Sequence, residues 1–262
     1  ELAPYFQPQL RMADCQVIAF EALIRWNHPE KGLITPDAFL PALANSHLEI
    51  PLGQWVLKEA IHQMNRWREA GEALAVSINI SAPHLMDRKF ADYLEGYLQS
   101  HPEVSPGQIT LEVLESTALE DTKRASNVLA RCQSLGLQVA LDDFGTGFSS
   151  LTYLRTLPVD VIKIDKSFVR NMLTDANDRA IVESVIFLAQ RFDHPVVAEG
   201  VETLEHATAL RDMGCNLVQG YGIARPIPSD EVLGWLDNWR RRIHSSRDIR
   251  ELQTVSEQGD GI

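Results

Sequence analysis

Short apolar, β-branched runs that end in a carboxylate or an amide recur along this chain, and no other feature narrows its fold as much. VIAF runs into Glu21, AVSI into Asn79, QITL into Glu112, LQVAL into Asp142 and Asp143, DVIKI into Asp165, and HPVVA into Glu199. Runs of Val, Ile and Leu buried on both faces read as parallel strands, and strands alternating with helices build an α/β sheet or barrel. Polar residues at the strand ends then converge at one mouth. In a (β/α)8 barrel that mouth carries the active site, so acids, an amide and Lys163 gathered there point to a divalent-cation site.

The bulk composition fits such a barrel. The chain has 262 residues, 45% of them hydrophobic, and one α/β barrel commonly takes about 250 residues. A formal net charge of −12 argues against DNA or RNA as partner, because backbone binding needs a basic surface. A small phosphate ligand is still compatible, since bound cations turn an acidic site into an anion receptor. Cys15, Cys132 and Cys215 are scattered and lack the C-x-x-C spacing of zinc or redox sites. They read as ordinary thiols of a reducing, cytoplasmic protein. No stretch has the 18 or so consecutive apolar residues of a membrane span. The first residue is Glu1 rather than Met, which suggests a domain from a longer protein whose other parts include any membrane anchor.

The opening residues read as two extended segments around a polar turn at Ala13 and Asp14, so the first strand pair is expected to be antiparallel. Pro36 starts a helix, and residues 51–71 form a longer one with Leu52, Val56, Leu57, Ile61 and Met64 on one stripe. Strands are then expected over 74–80, 108–113, 137–142, 160–164, 195–199 and 216–219. Helices are expected over 87–100, 122–134, 149–156, 177–192, 203–213 and 229–242. The domain is read as residues 1–242, followed by a polar, flexible tail over 243–262.

Asp142 and Asp143 are the sharpest local signal. Two adjacent carboxylates at a strand end, beside the glycine-rich FGTGFSS, repel each other unless a cation holds them. With its neighbours this segment resembles the EAL domain family of cyclic di-GMP phosphodiesterases. The family signature stands here as FEALIRW. SINIS, LEVLES, ALDDFGTGFSSLTYL, VDVIKIDKSFV, VVAEGVET and GCNLVQGYGIARP follow in order, so the resemblance covers residues 3 to 240.

The resemblance implies a TIM-like (β/α)8 barrel with an antiparallel first strand pair, hydrolysing cyclic di-GMP to linear pGpG in bacterial signalling. It implies two cations, Mg2+ or Mn2+, with Glu21, Asn79, Glu112 and Asp142 as ligands of the first. Asp142, Asp143 and Glu199 would hold the second, and Ca2+ would support binding but not turnover. Lys163 matches the lysine beside the attacking water and the scissile phosphate. Arg25 matches a phosphate-gripping arginine, Gln7 and Leu23 residues near a guanine base, and Asp165 a residue that orders the lysine region. Glu115, Glu202 and Gln219 match supporting positions: Glu115 for the loop of Asp143, Glu202 and Gln219 for Lys163 and a metal-bound water. A homodimer and sensor or GGDEF-type modules in the parent protein are further implications, with Phe144 and Phe148 either at a subunit interface or in the core. One departure is Leu114, where many relatives have threonine. Degenerate family members that bind the ligand without hydrolysing it leave a receptor role as the alternative.

Overall fold

The computed structural model describes residues 1–44, 46–115, 121–147 and 154–245. The strands are β1 (Leu2–Arg11), β2 (Gln16–His28), β3 (Gly32–Ile34), β4 (Ala75–Ile80), β5 (Ile109–Leu114), β6 (Gln138–Phe144), β7 (Val161–Ile164), β8 (Val196–Ala198), β9 (Leu217–Gln219) and β10 (Ile227–Pro228). They form one sheet in the order β10-β1-β9-β8-β7-β6-β5-β4-β2-β3. β1 also pairs with β2, from Leu2 opposite Trp26 to Arg11 opposite Gln16, and this closes β1, β2 and β4 to β9 into an eight-stranded barrel. Only β1 is antiparallel to its barrel neighbours. The expected hairpin is therefore present, and Cys15 completes its turn at a φ of 55°.

The helices are α1 (Pro36–Leu43), α2 (Glu49–Glu69), α3 (Ala82–Leu85), α4 (Phe90–Gln99), α5 (Thr122–Ser134), α6 (Lys166–Asn171), α7 (Ala176–Arg191), α8 (Leu204–Asp212) and α9 (Val232–Ser245). Strand alternation explains how they pack. In β1 and β2 the even residues Phe6 and Phe20 face outwards, where Trp67 of α2 meets their rings at centroid distances of 4.8 and 5.5 Å. Leu57, Ile61 and Met64 of the expected α2 stripe are buried there, and Leu52 and Val56 are half-buried. The odd residues point into the barrel. Carboxylates or hydroxyls start several helices: Asp121 accepts from Arg124 N, Asp175 from Asn177 N, and Thr203 from His206 N.

Some elements differ from the sequence expectation. The helix expected over 87–100 is present as α4 but starts only at Phe90, because the Asp87 carboxylate accepts from Lys89 N (3.2 Å) and closes a turn ahead of it, and the four-residue α3 before that turn was not expected. α6 was not expected, since six residues are too few to display a helical period. β3 and β10 are shorter still and exist through ladder bonds that sequence does not reveal. Of the helix expected over 149–156, residues 154–156 are helical and 149–153 lie outside the described residues. α9 runs to Ser245, past the expected boundary at 242. No helix among the described residues is long and apolar enough to cross a membrane.

Candidate active site

The inner face of the barrel carries the polar residues, and register fixes their heights. Gln7 lies opposite Glu21, Asn79 beside Glu112, and Leu114 beside Asp142. The strand-end residues read from the sequence thus meet at one mouth. At its centre is Lys163, only 1% exposed. Its Nζ stands 2.6 Å from Glu199 Oε1, 2.8 Å from Glu112 Oε2, 3.2 Å from Asp142 Oδ1 and 3.6 Å from Glu21 Oε2. Glu21 is fixed from two more sides, by Asn79 Nδ2 donating to Oε1 (2.7 Å) and Gln219 Nε2 donating to Oε2 (2.6 Å). Gln219 Nε2 also donates to Gln7 Oε1 (3.1 Å), and Gln7 Nε2 donates to Ala224 O (3.0 Å).

Strict alternation would turn Asp143 away from the mouth. Instead the backbone at Asp143 takes a left-handed φ of 53° and the β6–β7 register shifts between Leu141 and Phe144. Asp is one of the few residues that tolerates this conformation, and such irregularities commonly re-aim a side chain beside an active site. As a result, carboxylate oxygens of Asp142, Asp143 and Glu199 lie within 4.8 Å of one another. Asp165 adjoins the group: its Oδ1 caps α6 by accepting from Ser167 N (3.0 Å), and its carboxyl meets that of Asp143. Phe144 is 2% exposed and therefore a core residue, while Phe148 lies outside the described residues.

The charges do not balance. Burial pushes Asp143 up to about 7 and Glu199 to about 8, with Asp142 adding to both through repulsion. Glu112 is held well above the carboxylate range, by burial first and then by Glu21. Glu21 is shifted up by burial, but Lys163, Gln219 and Asn79 together outweigh that effect and keep it below its ordinary value. For Lys163 burial favours the neutral amine, and the surrounding Asp142, Glu112, Glu199 and Glu21 reverse that strongly. One ammonium thus faces more acid than it can neutralise. Two buried oxygens, Glu112 Oε1 and Gln219 Oε1, also have no hydrogen-bond partner. A set of hard oxygen donors with excess negative charge and a buried orphan acceptor fits divalent cations such as Mg2+ or Mn2+.

The remaining residues occupy a second tier. Arg25 and Leu23 follow Glu21 on the same face of β2; Arg25 is buried, donates to Ile24 O (2.9 Å) and lies 5.7 Å from the centre of the Tyr5 ring. Glu115, also buried, accepts from Gly145 N (3.3 Å), and a side chain at Gly147 would run into its carboxylate. Glu202 stands apart: it is exposed and pairs with Arg170 Nε at 3.0 Å. Sequence reading did not single out Gln9 and Ser77, whose side chains bond at 3.4 Å inside the barrel. Their signal was available, since each lies two residues from an inward-facing polar residue on the same strand. Trp26 and His28 belong to the strand end; His28 Nδ1 accepts from Glu30 N and Lys31 N and closes a turn.

Known proteins resemble this chain in sequence and fold. The sequence model of the EAL domain matches residues 1–226. The bifunctional diguanylate cyclase/cyclic di-GMP phosphodiesterase MucR of Pseudomonas aeruginosa is 38% identical over 234 residues, 89% of this chain and 34% of MucR. A solved MucR phosphodiesterase structure in complex with c-di-GMP superposes with a TM-score of 0.84, covering 88% of this chain and 94% of that one at 38% identity. The EAL enzyme Bd1971, in its cAMP- and cyclic-di-GMP-bound form, gives 0.85 at 33% identity, covering 90% of this chain and 65% of its own. The chain spans about a third of the length of the curated relatives it matches. With the family match running through the whole barrel, the chain belongs to the EAL domain family.

Proposed function

We propose that this domain is a divalent-cation-dependent phosphodiesterase that hydrolyses one phosphodiester of cyclic di-GMP to give linear pGpG. The observation that carries the reading is the closed ring of Glu21, Glu112, Asp142 and Glu199 around Lys163, with Asn79 and Asp143 completing it. The names of the similar proteins, a cyclic di-GMP phosphodiesterase and a c-di-GMP complex, support the same substrate.

Glu21, Asn79, Glu112 and Asp142 would hold one cation, and Asp142, Asp143 and Glu199 a second. Such cations supply Lewis acidity and make a coordinated water nucleophilic near neutral pH. The chain's own groups do the positioning. Asn79 and Gln219 hold both oxygens of Glu21 from opposite sides, so that carboxylate enters the reaction already oriented. Lys163 supplies a fixed positive charge where negative charge grows on the phosphoryl oxygens. The planar fork of Arg25 suits a phosphate of the cyclic dinucleotide, with Gln7 and Leu23 lining the approach. Gln7 is held at both ends of its amide, which keeps its face towards the mouth fixed.

Release of pGpG from cyclic di-GMP by the purified chain, followed chromatographically with Mg2+ or Mn2+, tests the proposal. Glu21→Ala should abolish turnover; a variant that keeps the parent rate would overturn the assignment. Ca2+ should allow the dinucleotide to bind but leave it intact, because its looser coordination positions water poorly. Ligand binding with no pGpG under any of these cations would make the domain a receptor instead.

A further inference from the structure

The ring already contains a cation, and it belongs to the chain. Four carboxylates turn an oxygen towards Lys163 Nζ at 2.6 to 3.6 Å. All four, Glu21, Glu112, Asp142 and Glu199, are among the side chains that would hold divalent cations. The ammonium is buried and reaches the ring from β7, an interior strand of the sheet with β6 and β8 paired on its two sides. A divalent cation seated among the same oxygens comes close to this like charge with little water between, where repulsion is weakly screened.

We propose that Lys163 is the resident counter-ion of the metal-free ring: it holds the acids together before loading, and divalent cations bind against it. The lysine therefore has opposite effects on two properties. It stabilises the metal-free fold, because removing one partner of a buried ionic cluster leaves the others uncompensated. It also weakens cation binding, because the incoming charge meets one of the same sign. This inference rests on the reading of the ring as a divalent-cation site. A lysine that only braced the ring would act differently, since its loss would loosen the ligands and weaken cation binding.

The test uses the whole chain without nucleotide. Lys163→Gln and the nearly isosteric Lys163→Met are purified in Mn2+ and stripped of metal, then Ca2+ and Mn2+ binding is measured by calorimetry and unfolding by a thermal scan. Both variants should bind cations about tenfold more tightly than the parent chain. Their metal-free forms should melt about 5 °C lower or more, with a larger upward shift on adding Mn2+. A variant that is unfolded when stripped and folds on adding Mn2+ supports the proposal in the same way. Unchanged or weaker cation binding in the neutral variants, or failure to fold even in saturating Mn2+, overturns it. If the parent chain itself binds no divalent cation, the cation-site reading fails instead, which separates the two outcomes.

Discussion

Asp143 has a φ of 53°, a region that costs an ordinary L-residue about 1–2 kcal/mol and that Asn and Asp enter most readily. Two substitutions therefore separate its backbone role from its charge. Asp143→Asn should be no less stable than the parent chain in urea unfolding, yet bind Mn2+ more weakly by calorimetry. Asp143→Val should lose about 1–2 kcal/mol of stability as well. The pairing of Asp142 with Asp143 was legible in the sequence because adjacency is a sequence property. The geometry was not: alternation puts neighbours on opposite faces, and only the left-handed residue and the register shift bring both carboxylates to Glu199. Glu202 shows the converse. Its motif, VVAEGVET, was plain, but its bond to Arg170 depends on α6, an element too short to be foreseen.

The short helix α3 follows Asn79 and Ser81 and carries His84, which is 1% exposed with neither ring nitrogen hydrogen-bonded. The imidazole packs edge-on against Phe90 at 4.7 Å, and a side chain at Gly53 would collide with it. Burial lowers its pKa from 6.5 to about 4. The unfolded chain therefore binds a proton between those values that the folded chain refuses, and stability falls as pH drops from 6.5 towards 4. At pH 5 the loss from this one residue is about 2 kcal/mol relative to pH 8. His84→Leu should remove that part of the pH slope in urea titrations at pH 5 and pH 8; an unchanged slope would mean the imidazole finds a proton acceptor when folded. At this scale the long elements were readable, as α2 and α5 show, because their apolar stripes repeat over several turns. The helix expected over 87–100 starts only at Phe90, because ahead of it the Asp87 side chain competes with the backbone for one amide.

Across the whole molecule, α9 reaches beyond the 226 residues that match the family, yet it packs on the start of the barrel. Trp239 Nε1 donates to Cys15 O at 2.9 Å, Trp235 and Trp239 stack at 5.5 Å, and Arg240 Nη2 donates to Glu72 at 2.8 Å. The helix thereby ties the first hairpin to the turn that follows α2. A chain ending at Asp230, without α9, should melt well below the full chain, as differential scanning calorimetry can record. Barrel closure was legible as a strand count with an antiparallel start. The seal made by α9 was not, because a few tryptophans in a polar helix do not announce their partners.

The direction of β1 has one more result. Because it runs against the other seven barrel strands, the chain enters from the mouth rather than from the far end. Glu1 is laced to that rim, its carbonyl accepting from Asn27 N at 2.7 Å and its carboxylate from Trp26 Nε1 at 3.3 Å. Anything joined ahead of Glu1 would emerge beside Trp26 and Asn27, six residues from Gln7. From Gln7 the hydrogen bonds run on to Gln219, and from Gln219 to Glu21. The start of β1 and the ring of acids thus share one end of the barrel, a single strand apart.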